Sequence, residues 1–197
     1  MIMDKVGSFL VSYLLGSIPF SFLIAKITKG IDIRRVGTGN VGAANVFSSV
    51  SKTAGLTALI LDFLKGWLAV FLASQVFGLD SFITLVSGFF AILGHNFPLF
   101  LRFRGGRGLA TTIGIFSFMF FKPIIICGVV TAIIFFFLRK LILAILISTI
   151  LFIILIIKEG APNYIWNFVV FIVIFLVLRG YSTIEREIKH LIRGGKE

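Results

Sequence analysis

Apolar residues fill this chain in runs close to the roughly 20 residues a bilayer-spanning helix needs, and polar residues gather in the short intervals between them. The first run extends from Val6 to Ile27, and Gly16 and Pro19 in G-S-I-P-F predict a bend there, because proline removes a backbone donor. After the longest polar interval, Lys26 to Lys52, the apolar pattern resumes over residues 53–77 and again over 82–101. The apolar stretch from Leu109 to Leu138 exceeds one comfortable span, and Lys122-Pro123 divides it into 109–121 and 123–138. Two more spans follow at 141–157 and 163–178, the last opened by Tyr164 and Trp166 as interfacial aromatics. In the tail, 181–197, Ile184, Ile188, Leu191 and Ile192 recur at helical spacing against Arg186, Lys189 and Arg193, a pattern that predicts an amphipathic helix on a membrane surface. The pattern thus predicts an all-α polytopic protein: a single membrane domain over 1–197, seven transmembrane helices, glycine-rich loops and an amphipathic C-terminal helix.

Composition agrees with lipid as the main solvent. Of 197 residues, 58% are hydrophobic and 24 are Phe, with a mean hydropathy of +1.10, more apolar surface than one soluble core can hide. The first run is longer than the apolar part of a cleavable signal, so it reads as the first span. Cys127 is the one cysteine, which leaves no disulfide and no cysteine-rich metal site within the chain.

The net charge of +11 would suggest nucleic acid in a soluble domain. Here the charge lies in short loops, where anionic headgroups and phosphorylated substrates are the fitting partners, and nucleic acid is not. With seven spans, the 26–52 and 102–107 intervals, Arg139-Lys140 and residues 179–197 share one side of the membrane and hold fifteen of the 19 Lys and Arg; the other side holds Lys5, Lys122 and Lys158. The positive-inside rule then predicts cytoplasmic loops, a cytoplasmic C-terminus and an outside N-terminus.

Two stretches carry the candidate chemistry. In the first, Gly37, Gly39 and Gly42 bracket Thr38 and Asn40, with Asn45 about one helical turn further on, so that hydroxyl, amides and backbone N–H groups are expected to converge on one oxyanion. The second is G-H-N-F-P-L-F-L-R-F-R-G-G-R-G, Gly94 to Gly108, where Arg102, Arg104 and Arg107 interleave with Gly105, Gly106 and Gly108 just before a new helix at Leu109. Fixed positive charge beside unshielded N–H groups at a helix N-terminus predicts an anion site. Between them, Asp62 and Lys65 share a helix face inside a span and are expected to pair, fixing helix packing. His95 has no carboxylate near it in sequence and is expected to be a hydrogen-bonded structural group.

Taken together, G-S-I-P-F-S-F-L-I-A-K, G-I-D-I-R-R-V-G-T-G-N-V-G-A-A-N-V-F, L-D-F-L-K-G and G-H-N-F-P-L-F-L-R-F-R-G-G-R-G-L-A-T-T resemble the successive motifs of the bacterial integral-membrane acyl-phosphate:glycerol-3-phosphate acyltransferases. The resemblance is dense from Leu14 to Gly114. It implies transfer of an acyl group from acyl phosphate to the 1-hydroxyl of glycerol 3-phosphate, giving lysophosphatidic acid and inorganic phosphate, in the bacterial plasma (inner) membrane, with membrane lipid as a further partner and no cofactor or metal. It implies Thr38 and Arg107 as catalytic groups, Gly37, Gly39, Asn40, Gly42, Asn45, Arg104, Gly105, Gly106 and Gly108 as phosphate-binding, and a contribution from Glu187 and His190 in the tail. Departures from the family pattern are Thr38 for serine, Arg104 and Arg107 for lysines, Ser48 for arginine, Ile142 and Ile145 for serines, Ile184 for histidine, Glu187 for asparagine and His190 for arginine. Besides an acyltransferase, a non-catalytic paralogue binding a phosphorylated lipid or acyl phosphate and an anion or lipid transporter are alternative readings. The lack of an inverted repeat and of matched broken spans speaks against the transporter.

Overall fold

The structure, a computed structural model, describes residues 2–193, with side chains over 2–181 except Ile142. The described residues are helical with short connections and form no strand, as the hydrophobic pattern predicts. Among the described residues, five segments are long and apolar enough to cross a membrane: Ile2–Lys29, Lys52–Val76, Ser81–Leu101, Phe121–Leu138 and Asn163–Tyr181. Five of the seven expected spans thus have helices of crossing length, and at the other two expected spans, 109–121 and 141–157, lie the shorter apolar helices Leu109–Met119 and Leu143–Lys158.

The first span is two helices, α1 (Ile2–Ser17) and α2 (Phe20–Lys29), divided at Pro19 where the bend is expected. A 3₁₀ turn, Ile33–Arg35, and a short helix α3 (Ala43–Ser49) lead into α4 (Lys52–Phe71), which a π-helical turn extends to Val76. Next comes α5 (Ser81–Asn96), capped by Asp80 Oδ1 accepting from the Ile83 N–H at 3.0 Å. A 3₁₀ turn, Leu99–Leu101, carries the chain to α6 (Leu109–Met119).

In this part of the chain, residues 1–121, the usual distribution is inverted. Leu56, Leu59, Ile60, Leu64 and Leu68 are exposed along α4 while Ser8, Ser12, Ser17, Asp62, Lys65 and Ser87 are buried. Apolar side chains gain nothing by leaving lipid, so close packing and internal hydrogen bonds hold the helices together. Accordingly α1 packs on α5 and α4 on α6 at backbone distance. A Cβ on Gly16 would strike the Ala91 carbonyl, and one on Gly66 the Thr111 carbonyl. Ser8 and Ser87 hydrogen-bond across the α1–α5 contact at 2.9 Å.

Residues 122–197 cluster as a second unit. A single residue, Phe120, separates the end of α6 from the helix α7 (Phe121–Leu138), so the break falls at Phe120 rather than at Lys122-Pro123. Proline in the first turn costs no helical hydrogen bond, because that N–H has no partner anyway, and it therefore sits just inside the helix rather than at the gap. Thr131 Oγ1 of α7 and Ser148 Oγ of α8 (Leu141–Lys158) hydrogen-bond at 2.7 Å. The last helix, α9, runs without interruption from Asn163 to Arg193. The tail therefore continues the helix of the seventh span instead of starting a separate one, as far as it is described. The side chains of Ile184, Glu187 and His190, that of Ile142, and residues 194–197 altogether lie outside the described residues.

Candidate functional site

Loop 37–45 is shaped from within by one side chain. Asn45, 2% exposed, accepts on Oδ1 from the Thr38 N–H at 3.1 Å and from Ser49 Oγ at 3.2 Å. Its Nδ2 donates toward the carbonyls of Ile33, Val36 and Asn40 at 3.1, 3.0 and 3.1 Å. The amide expected at the anion is thus occupied in bracing the turn, and what the loop leaves outward is Thr38, exposed between two glycines in the left-handed region, Gly37 (φ 56°) and Gly39 (φ 71°). Gly37 is needed on a second count, since a Cβ there would collide with Asn45 Oδ1 and Ser49 Oγ. Asn40, half-buried, donates its backbone N–H to Thr38 Oγ1 at a long 3.4 Å. Gly42 caps α3 with no side chain over the helix end.

Upstream, Asp32 holds the loop's entrance. Its carboxylate accepts from the Arg34 N–H at 3.0 Å and from Arg34 Nη2 at 2.7 Å, and the Arg34 guanidinium lies 5.2 Å from the Phe22 ring of α2. The hydrogen bond from Arg34 is the main reason that the Asp32 carboxyl is held down to about 2.

The second loop lies against the first. Leu101, at its base, shares a buried cluster with Ile33, Val41, Val46 and Val50. The Gly105 and Gly106 N–H groups donate to the Asn96 and His95 carbonyls at 3.2 and 3.0 Å, folding the turn back onto the end of α5. A Cβ on Gly106 would collide with His95 Nε2 and sit 2.6 Å from the Val41 carbonyl. Only a glycine lets the turn fit between α5 and loop 37–45. The two stretches that the sequence singled out separately therefore meet at Gly106. Beyond it, Arg107 is half-buried, and Gly108 (φ 86°) opens α6 with no side chain capping its first N–H groups. A cation beside an uncapped helix N-terminus is chemically suited to an anion. Arg102 and Arg104 are exposed.

Beneath this junction lies a group of polar side chains that sequence reasoning treated separately. Asp62 Oδ1 is 2.8 Å from Lys65 Nζ, so the expected pair forms, with Asp62 and Lys65 only 1% and 4% exposed. His95 Nδ1 lies 3.5 Å from the same Asp62 oxygen. The carboxylate missing near His95 in sequence is supplied by α4. Ser21 Oγ donates to Asp62 Oδ2 at 3.2 Å, and Lys65 Nζ donates at 3.1 Å to the Ile18 carbonyl, beside the proline break of span 1. A small pocket is lined by Pro19, Val41, Asp62, Lys65, His95 and Pro98 among others. The signal for this cluster was present in the sequence as charge inside a span, which needs a partner, but not the identity of the histidine that provides it.

The chain matches the family model described as glycerol-3-phosphate acyltransferase over residues 6–193. It is 52% identical over 113 residues to the glycerol-3-phosphate acyltransferase of Wolbachia sp. subsp. Brugia malayi, a match covering 57% of this chain and 59% of that relative. It is 47% identical over 104 residues to the Aquifex aeolicus protein of the same name, covering 53% of this chain and 54% of that one. These matches thus span between half and three-fifths of the relatives' length. Among solved structures it resembles PlsY (YgiH), an integral membrane glycerol 3-phosphate acyltransferase, in its glycerol 3-phosphate form, with a TM-score of 0.85 and 34% identity over 94% of this chain and 92% of that one. The lysophosphatidic acid form of PlsY matches with a TM-score of 0.83.

Proposed function

From the premise that this chain belongs to the glycerol-3-phosphate acyltransferase family, we propose that it transfers an acyl group from acyl phosphate to the 1-hydroxyl of glycerol 3-phosphate. The hydroxyl oxygen forms an ester bond to the acyl carbon, the bond from that carbon to the phosphate oxygen breaks, and inorganic phosphate leaves carrying the proton. Lysophosphatidic acid is the product that stays in the membrane. The observation that carries this reading is the meeting of the two glycine loops at Gly106, which sets the Thr38 turn and the Arg107 helix end against one another. In its favour, the two PlsY forms it resembles are described by glycerol 3-phosphate and by lysophosphatidic acid.

In this reading Arg107 and the uncapped start of α6 hold phosphate, Arg104 and Gly108 complete that side, and the Thr38 hydroxyl with Asn40 meets the reacting groups from loop 37–45. Gly37, Gly39, Gly42, Gly105 and Gly106 permit the two turns to close, and Asn45 fixes the shape of the first. The chemistry asked of the protein is positioning and stabilisation of charge as the acyl carbon is attacked. Glu187 and His190 are a further proposed contribution from the tail. The membrane is the bacterial plasma (inner) membrane, with both loops and the C-terminus cytoplasmic and the N-terminus outside, a reading supported by the distribution of Lys and Arg.

One observation favours a second reading. Ser48 stands where the family pattern has an arginine, and its hydroxyl donates to the carbonyls of Ala44 and Asn45, both at 3.2 Å, so this position offers no cation. A paralogue that binds phosphorylated ligands without turning them over would keep the loops and lack that charge. Purified protein given a long-chain acyl phosphate and labelled glycerol 3-phosphate is expected to produce lysophosphatidic acid and inorganic phosphate in equal amounts. Saturable binding of glycerol 3-phosphate without product supports the second reading, and neither binding nor product overturns both.

A further inference from the structure

A buried ion pair is an expensive way to join helices, since replacing such a pair by apolar residues is often neutral or stabilising. Where one is kept, what it touches indicates what it does. Here the α4 pair, Asp62 and Lys65, touches three other segments: α2 supplies Ser21, the break in span 1 supplies the Ile18 carbonyl, and the end of α5 supplies His95. The opposite edge of the His95 ring carries Nε2, the atom that a Cβ on Gly106 would strike, and the other atom crowding that position is the Val41 carbonyl of loop 37–45. The His95 backbone also accepts the Gly106 N–H at 3.0 Å. One residue therefore contacts the ion pair on one side and the seam between the two loops on the other.

We infer that His95, oriented by the Asp62–Lys65 pair, is a positioning residue that sets the Gly105–Gly108 turn against loop 37–45 and thereby fixes the phosphate site for glycerol 3-phosphate. The inference rests on the acyltransferase reading above for the identity of the ligand. The physical logic is that of a rigid support. A ring held beside a carboxylate at its Nδ1 edge presents Nε2 at one place, and a turn that has no side chain at Gly106 settles directly on it, so the distance between Arg107 and Thr38 is set by the support behind the turn. Burial within helices, rather than on a loop, gives that support its precision.

The variant His95→Phe keeps a planar ring and removes both nitrogens, and His95→Gln returns a polar end at about the position of Nε2. For the full-length protein in detergent, assayed at saturating acyl phosphate, His95→Phe is expected to raise KM for glycerol 3-phosphate by about tenfold while kcat changes by less than about threefold, and His95→Gln to recover part of the loss. The amount of folded protein, read by gel filtration and thermal unfolding, is expected to stay near wild type. Should His95→Phe fail to fold, the double variant Asp62→Leu/Lys65→Met, which removes both charges together, is expected to show the same rise in KM. Unchanged KM in a folded variant, or a loss no larger than the loss of folded protein, overturns the inference and leaves the acyltransferase reading standing. Absence of turnover in the wild type overturns that reading instead. Calorimetric titration of glycerol 3-phosphate into the same proteins then decides the inference: weakened binding in His95→Phe upholds it and unchanged binding overturns it.

Discussion

At the scale of single residues, the two loops depend on different kinds of group. Arg107 is proposed to act by charge: if it holds a substrate phosphate, Arg107→Ala forfeits on the order of 2 kcal/mol of binding or transition-state stabilisation, and Arg107→Lys retains much of the activity because the family pattern carries a lysine there. Comparison of kcat/KM for the three proteins tests this, and equal values exclude a phosphate role. Asp32 acts by holding Arg34, and its effect is visible through pH. Its folded carboxyl titrates at about 2, below its ordinary 3.8, so its contribution to stability is complete above the ordinary value and disappears as pH falls through about 2. The unfolding temperature of Asp32→Asn in detergent is therefore expected to lie below wild type at pH 6 and to converge with it near pH 2. A gap independent of pH would mean that the ion pair contributes nothing.

At the scale of elements, backbone contact between helices is the cohesive force available in lipid, and it depends on the absence of side chains. A Cβ on Gly66 would strike the Thr111 carbonyl two residues inside α6, so Gly66→Val is expected to push α4 from α6 and to cost about 2 kcal/mol or more. Because α6 begins at the anion-suited end of the second loop, activity should fall along with stability. Gly128 of α7 is the matched control: nothing lies within 4 Å of a Cβ there, and Gly128→Ala is expected to be neutral or slightly stabilising. Thermal unfolding of both variants checks the contrast. The break between α1 and α2 belongs to the same scale, since it presents the Ile18 carbonyl to Lys65.

At the scale of the whole molecule, the asymmetry of Lys and Arg predicts a cytoplasmic C-terminus. With Cys127 replaced, a cysteine introduced at Glu197 is expected to resist an impermeant thiol reagent added outside intact cells, and labelling there would put the loops on the wrong side for substrates made within. By itself the sequence determined where the apolar helices lie, that span 1 bends, and that Asp62 and Lys65 pair. These are local properties: hydrophobic length, proline chemistry and spacing on one helix act on each segment without reference to the others. The exact break at Phe120 and the continuity of α9 to Arg193 were less legible, because helix ends depend on small local differences. Only the tertiary structure decided that Asp62 faces His95, that Gly106 rests between His95 and Val41, and that the Asn45 amide is used inside its own loop. Those meetings join residues far apart in sequence, and they are fixed by how deeply glycine-lined helices approach and how each is rotated, quantities that the hydrophobic period of a membrane helix leaves open.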